Sequence, residues 1–106
     1  MNLTDRAMMS LWQAIGGEEV RPKQFTMENA RKFYLEKRME YPEAKNCVLK
    51  VTPRGNQYEI VQILLNKDLK EIMVNDEACV GRRLLAKSVA ADVMEFLGGE
   101  TWKLME

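Results

Sequence analysis

The sequence predicts an α+β domain: a three-stranded antiparallel sheet covered on one face by helices, in the order α-α-β-β-β-α. Three observations carry this. Apolar residues recur at helical spacing up to about residue 40, the period drops to two from Lys45, and helical spacing returns near residue 80. At 106 residues, 46% of them apolar and 30% charged, the chain has enough material for one real core and too little for two. It therefore divides as a single domain over 1–106: an N-terminal helix and linker (1–25), an α-β-β-β-α core (26–99) and a tail (100–106).

The first helix opens at Thr4 as N-cap, with Leu3 and Met8 positioned as a staple, and stops at Gly16-Gly17. Its stripe is Met8, Leu11, Trp12 and Ile15, a core-facing set that also serves as an oligomer seam, since Met and Trp are common at interfaces. After a polar linker, Thr26 caps a second helix running to about Glu40, with Pro42 as its stop. Met27, Ala30, Phe33 and Tyr34 share one arc of that helix, facing the sheet, and Leu35 and Met39 form a smaller apolar face able to receive the first helix.

Cys47, Leu49 and Val51 alternate against Val48, Lys50 and Thr52, which is a strand. T-P-R-G-N-Q supplies hairpin chemistry, and Tyr58 to Leu65 follows as an apolar, β-branched second strand. Lys70 to Val74 is expected as the third strand, the alternative being a short helix capped by Asn66. The last helix is expected from Cys79 or Gly81 to Leu97, where Leu85, Ala86, Val89, Ala90, Val93, Phe96 and Leu97 occupy one continuous arc before Gly98-Gly99. Trp102, Leu104 and Met105 in the tail either dock on the first helix or lie apart from it.

Sixteen basic residues balance sixteen acidic ones, so no global field draws in nucleic acid or an anionic membrane, and any polyanion site must be local. Thr26 to Gln57 carries seven basic and four acidic groups, and Tyr58 to Glu106 six and nine: a basic middle and an acidic end. The opening M-N-L-T-D-R is polar rather than a leader, so Cys47 and Cys79 read as reduced thiols of a cytoplasmic protein. The chain has no histidine, and its two cysteines are far apart, which argues against a zinc site. No apolar run approaches the roughly 20 residues that span a bilayer, so no membrane partner is expected. No Gly-rich phosphate loop, nucleophile elbow or paired acidic motif appears, so neither catalysis nor a cofactor is expected.

The helix, three strands, helix order of 26–99, together with R-L-L-A-K-S-V-A-A in the last helix, resembles the double-stranded RNA-binding domain. That family's second helix reads basic, basic, any, Ala, Lys, any, any, Ala, Ala. Arg83 takes the first basic position, and Ala86, Lys87, Ala90 and Ala91 match. Leu84 stands at the middle basic position, and the loop Thr52 to Gln57 lacks the family's glycine-proline-any-histidine pattern. The resemblance implies that Arg82, Arg83 and Lys87 straddle phosphates across the major groove of A-form RNA. It further implies minor-groove contacts from Arg54 in the strand loop and from Lys32 and Lys37 beside Glu36 on the preceding helix.

The expected function is thus a non-catalytic binding module for double-stranded RNA or another nucleic acid, acting through a basic helix N-terminus. The alternative is a protein-interaction or self-association module of the same topology, with a protein partner or a second copy meeting Met8, Leu11, Trp12 and Ile15. The resemblance carries that alternative too, because members with degraded basic helices bind proteins or dimerise.

Overall fold

The computed structural model describes residues 23–106. The N-terminal stripe Met8, Leu11, Trp12 and Ile15 lies outside the described residues. Along the described chain the elements are β1 (Gln24–Phe25), α1 (Met27–Glu40), β2 (Asn46–Arg54), β3 (Gln57–Leu65), β4 (Gly81–Ala86), β5 (Ser88–Val89), α2 (Ala91–Leu97) and β6 (Trp102–Met105). The class is α+β.

α1 begins where Thr26 breaks into extended backbone (φ −122, ψ 164) and closes a capping box: its hydroxyl accepts from the Asn29 N–H, and Asn29 Oδ1 accepts from the Thr26 N–H, both at 3.1 Å. Two of the helix's orphan donors are satisfied in this way. The helix ends at Tyr41, whose N–H bonds the Lys37 carbonyl at 2.7 Å, directly before Pro42. Met27, Ala30 and Tyr34 are buried, as their shared arc predicts.

β2 and β3, nine residues each, form a hairpin closed between Arg54 and Gln57. Gly55 sits at φ +63 with open space where a Cβ would be, so glycine is needed there for its backbone freedom alone.

The expected three-stranded sheet is corrected here to a four-stranded antiparallel one, ordered β4-β3-β2-β6, with a separate two-stranded parallel pair, β1-β5. Lys70–Val74 is neither the third strand nor a helix. It belongs to an excursion, tied by the Asn66 side chain accepting from the Asp68 and Lys70 N–H groups, which meets its neighbours only at the isolated bridges Leu65 to Glu71 and Met73 to Cys79. The third strand is β4, so the expected helix from Cys79 or Gly81 shrinks to Ala91–Leu97. The cause is a pairing that a helical projection does not register: Leu84 and Ala86 meet Ile60 and Tyr58 of β3, and that ladder holds the segment extended. Gly98, at φ +59, stops the short helix as a left-handed cap. The tail becomes β6, paired with β2 from Lys50 opposite Trp102 to Cys47 opposite Met105.

Register divides the sheet into two faces. Cys47, Leu49, Val51, Ile60, Leu64, Leu84, Ala86 and Met105 pack with Phe25, Met27, Ala30, Tyr34, Val93 and Leu97, so both helices cover this side. Val48, Val61, Ile63 and Leu65 on the reverse face cluster with Cys79 and Leu104, and among the described residues no helix lies there.

Candidate protein interface

The cations expected to form one basic cluster are dispersed by the strand geometry of β4. Arg82 and Arg83 are neighbours in an extended segment, so their side chains leave opposite faces of the sheet.

Arg82 points under α1. Its Nε donates to Gln62 Oε1 at 2.8 Å, its Nη2 donates to the Asn29 carbonyl at 3.1 Å, and its guanidinium lies 4.3 Å from the centre of the Phe33 ring. Burial pushes its pKa down to about 10, opposed by Cys47 and Glu36, which leaves it charged at neutral pH. Gln62, fully buried, donates from Nε2 to the Ala30 carbonyl at 3.1 Å. The pair bolts the sheet to α1.

Arg83 emerges on the reverse face, where its Nε donates to Glu59 Oε2 at 2.8 Å. Arg54 reaches the same oxygen at 3.2 Å from the end of β2. Glu59 is 3% exposed, so the two guanidiniums neutralise a buried carboxylate rather than presenting charge outward. Lys37 Nζ pairs with Glu40 Oε2 at 3.2 Å. Lys32 is exposed on α1 beside a hollow of about 300 Å³ that also holds Phe33, Glu36 and Arg82, and Lys87 is exposed between β4 and β5. The segment matched to the RNA-binding signature runs through three settings: Arg83 and Ala86 in β4, Lys87 beyond it, and Ala90 and Ala91 at the start of α2.

A different surface assembles on the helix layer. Between α1, α2 and the end of β6 lies a groove of about 260 Å³, with Met27, Tyr34, Leu35, Phe96 and Met105 as apolar lining and Arg31, Arg38 and Glu106 as charged lining. Arg31, Leu35, Arg38 and Met39 fall at i, i+4, i+7 and i+8, one stripe of α1. Leu35 is 56% and Met39 85% exposed, with Met94 of α2 at 51%. Leu35 and Met39 form the smaller apolar face of α1; the first helix expected to meet it lies outside the described residues. The Arg38 guanidinium lies 5.3 Å from the Tyr34 ring centre. The Tyr34 hydroxyl is buried without a hydrogen-bond partner among the described residues, and burial raises its pKa against the opposing effect of Arg38.

Chemically this is an apolar lining with two guanidiniums and one carboxylate, Glu106, beside it, a balance that suits an apolar ligand carrying a carboxylate. Sequence reasoning identified Leu35 and Met39 as an apolar face but did not bring in Phe96 and Met105, because their assembly depends on where α2 and β6 pack. Among the described residues no group of three or more His, Cys, Asp or Glu side chains could hold a metal, and no helix is long and apolar enough to cross a membrane. Comparison with known proteins finds no matching family model, no similar curated protein and no similar solved structure.

Proposed function

We propose that this chain is a non-catalytic protein-interaction module that engages its partner through the helix layer, at the groove between α1 and α2. The observation that carries this reading is the groove's apolar lining of Met27, Tyr34, Leu35, Phe96 and Met105, with Leu35 left 56% exposed. Large apolar side chains gathered at one concave site mark a binding surface. Arg31 and Arg38 add charge selection, favouring a partner segment that combines apolar side chains with carboxylates. The nucleic-acid reading draws less support from the geometry, because Arg54, Arg82 and Arg83 are held by Glu59, Gln62 and the Asn29 carbonyl. Duplex affinity rests on cations available to phosphates.

The test uses anilinonaphthalene sulfonate, an apolar anion, on the full-length chain at low protein concentration. Saturable binding is expected, and Leu35→Asp and Arg38→Glu should each weaken it about tenfold or more while the circular dichroism spectrum is retained. Equal binding by wild type and both variants overturns the reading. A parallel gel-shift with a duplex RNA of about 20 base pairs at low salt supplies the competing outcome. A shift weakened by Lys32→Ala and Lys87→Ala but not by Leu35→Asp replaces the protein-partner reading with the RNA-binding one.

A further inference from the structure

We infer that the occupant of the groove is a second copy of this chain, each copy laying its α2 against the other's α1 about a two-fold axis; this rests on the groove being the binding surface. Charge complementarity carries it. α1 presents Arg31 and Arg38 on the same stripe as the exposed Leu35 and Met39. α2 and the turn after it present Asp92, Glu95 and Glu100 with the exposed Met94, and the segment 91–100 has no basic side chain. α1 and α2 adjoin across the groove, which Arg31, Leu35 and Arg38 line from α1 and Phe96 from α2; Asp92 and Glu95 are Phe96's neighbours at i−4 and i−1 on α2.

A basic and apolar stripe beside an acidic and apolar one is self-complementary. Under a two-fold axis each surface meets the same surface of its partner, so whatever α1 gives to the facing α2 is returned by symmetry. Docking α1 on α1 would instead oppose four guanidiniums, and docking α2 on α2 would oppose carboxylates, so charge alone selects the reciprocal arrangement. The exposed groups at the seam are mostly unbranched, Met39 and Met94 among them, and such side chains adapt to a facing surface without a preformed socket. The chain's zero net charge removes long-range repulsion between copies.

Sedimentation velocity over a concentration series tests this with the full-length chain, Arg31→Glu, Glu95→Arg and the double variant. Arg31 and Glu95 are both exposed and are in no ion pair among the described residues, so neither swap disturbs the fold. A concentration-dependent dimer is expected, weakened about tenfold or more by each single swap and returned to within about threefold of wild type in the double variant. A concentration-independent monomer that still binds the sulfonate probe overturns the second copy as occupant and leaves the groove reading standing. A dimer indifferent to both swaps places its interface elsewhere and overturns the proposal as well. Loss of both dimerisation and probe binding brings down the groove reading itself.

Discussion

Gln62 and Arg82 face each other across the β3–β4 ladder, joined by a 2.8 Å hydrogen bond from the Arg82 Nε to the Gln62 Oε1. Each also reaches a carbonyl of the first turn of α1, Gln62 that of Ala30 and Arg82 that of Asn29. The seam between helix and sheet therefore contains a polar clamp inside an otherwise apolar layer. Arg82, which in sequence looks like an available cation, is a structural donor.

The two halves of this clamp should not act independently. Gln62→Leu strands the Arg82 Nε–H and Arg82→Met strands the Gln62 Oε1, each destabilising by about 1–3 kcal/mol. The double variant should lose less than the sum of the two, a coupling of about 0.5–3 kcal/mol in urea unfolding. Simple additivity would show that the two side chains act independently.

Glu59 provides a second contrast between buried and exposed charge. Arg83, with 22% of its side chain exposed, and Arg54, with 52%, share one carboxylate oxygen. Arg54→Ala should change stability by less than about 1 kcal/mol, as exposed pairs do. Arg83→Ala, removing the shorter and better shielded contact, should cost about 1–3 kcal/mol. Equal losses in denaturant midpoints would place the two arginines in equivalent environments.

Tyr34→Phe removes a buried hydroxyl that has no hydrogen-bond partner among the described residues. The substitution should be neutral or should stabilise by up to about 1 kcal/mol, because it deletes a desolvated polar group and leaves the ring beneath Arg38. A loss beyond about 1 kcal/mol in thermal or urea unfolding would mean that the hydroxyl is bonded after all.

Alkaline destabilisation should begin with the thiols. Burial raises Cys47 from 9.0 to about 12 and Cys79 from 9.0 to about 11. Well below pH 9 both states hold their thiol protons and these groups give no pH dependence. As pH rises past 9 the unfolded chain loses protons that the folded chain keeps, so stability falls, and the fall continues until the folded thiols ionise. The cleanest window lies between pH 9 and 10, below the lowered Arg82 value of about 10, whose titration acts in the opposite direction. Urea midpoints should drop across that window in wild type, and the drop should flatten in Cys47→Ala/Cys79→Ala. An unchanged slope in the double variant would assign the effect to other groups.

Local signals settled much of the chain without any tertiary context. The Thr26 cap, the Pro42 stop, the Gly55 turn and the Gly98 stop each depend on backbone conformations or hydrogen bonds formed within a few residues, so they are legible in sequence. The Met27, Ala30 and Tyr34 arc and the Cys47, Leu49, Val51 alternation are equally local, and they specify an α+β class with a hairpin at its centre.

Packing decided the rest. G-R-R-L-L-A fits a helical arc as well as it fits a strand half-buried on both faces, and only the ladder to β3 makes it β4. The same choice sends Arg82 beneath α1 and Arg83 to the reverse face, dissolving a cation cluster that existed only under the helical reading. W-K-L-M is too short to declare itself, and becomes β6 because β2 offers an open edge. Sequence alone therefore determined the class, the α1 helix and the β2–β3 hairpin, whose causes lie within a few residues. The fourth strand, the fate of each arginine and the groove beside Leu35 were left to tertiary structure, because backbone pairing between distant segments sets which way those side chains point.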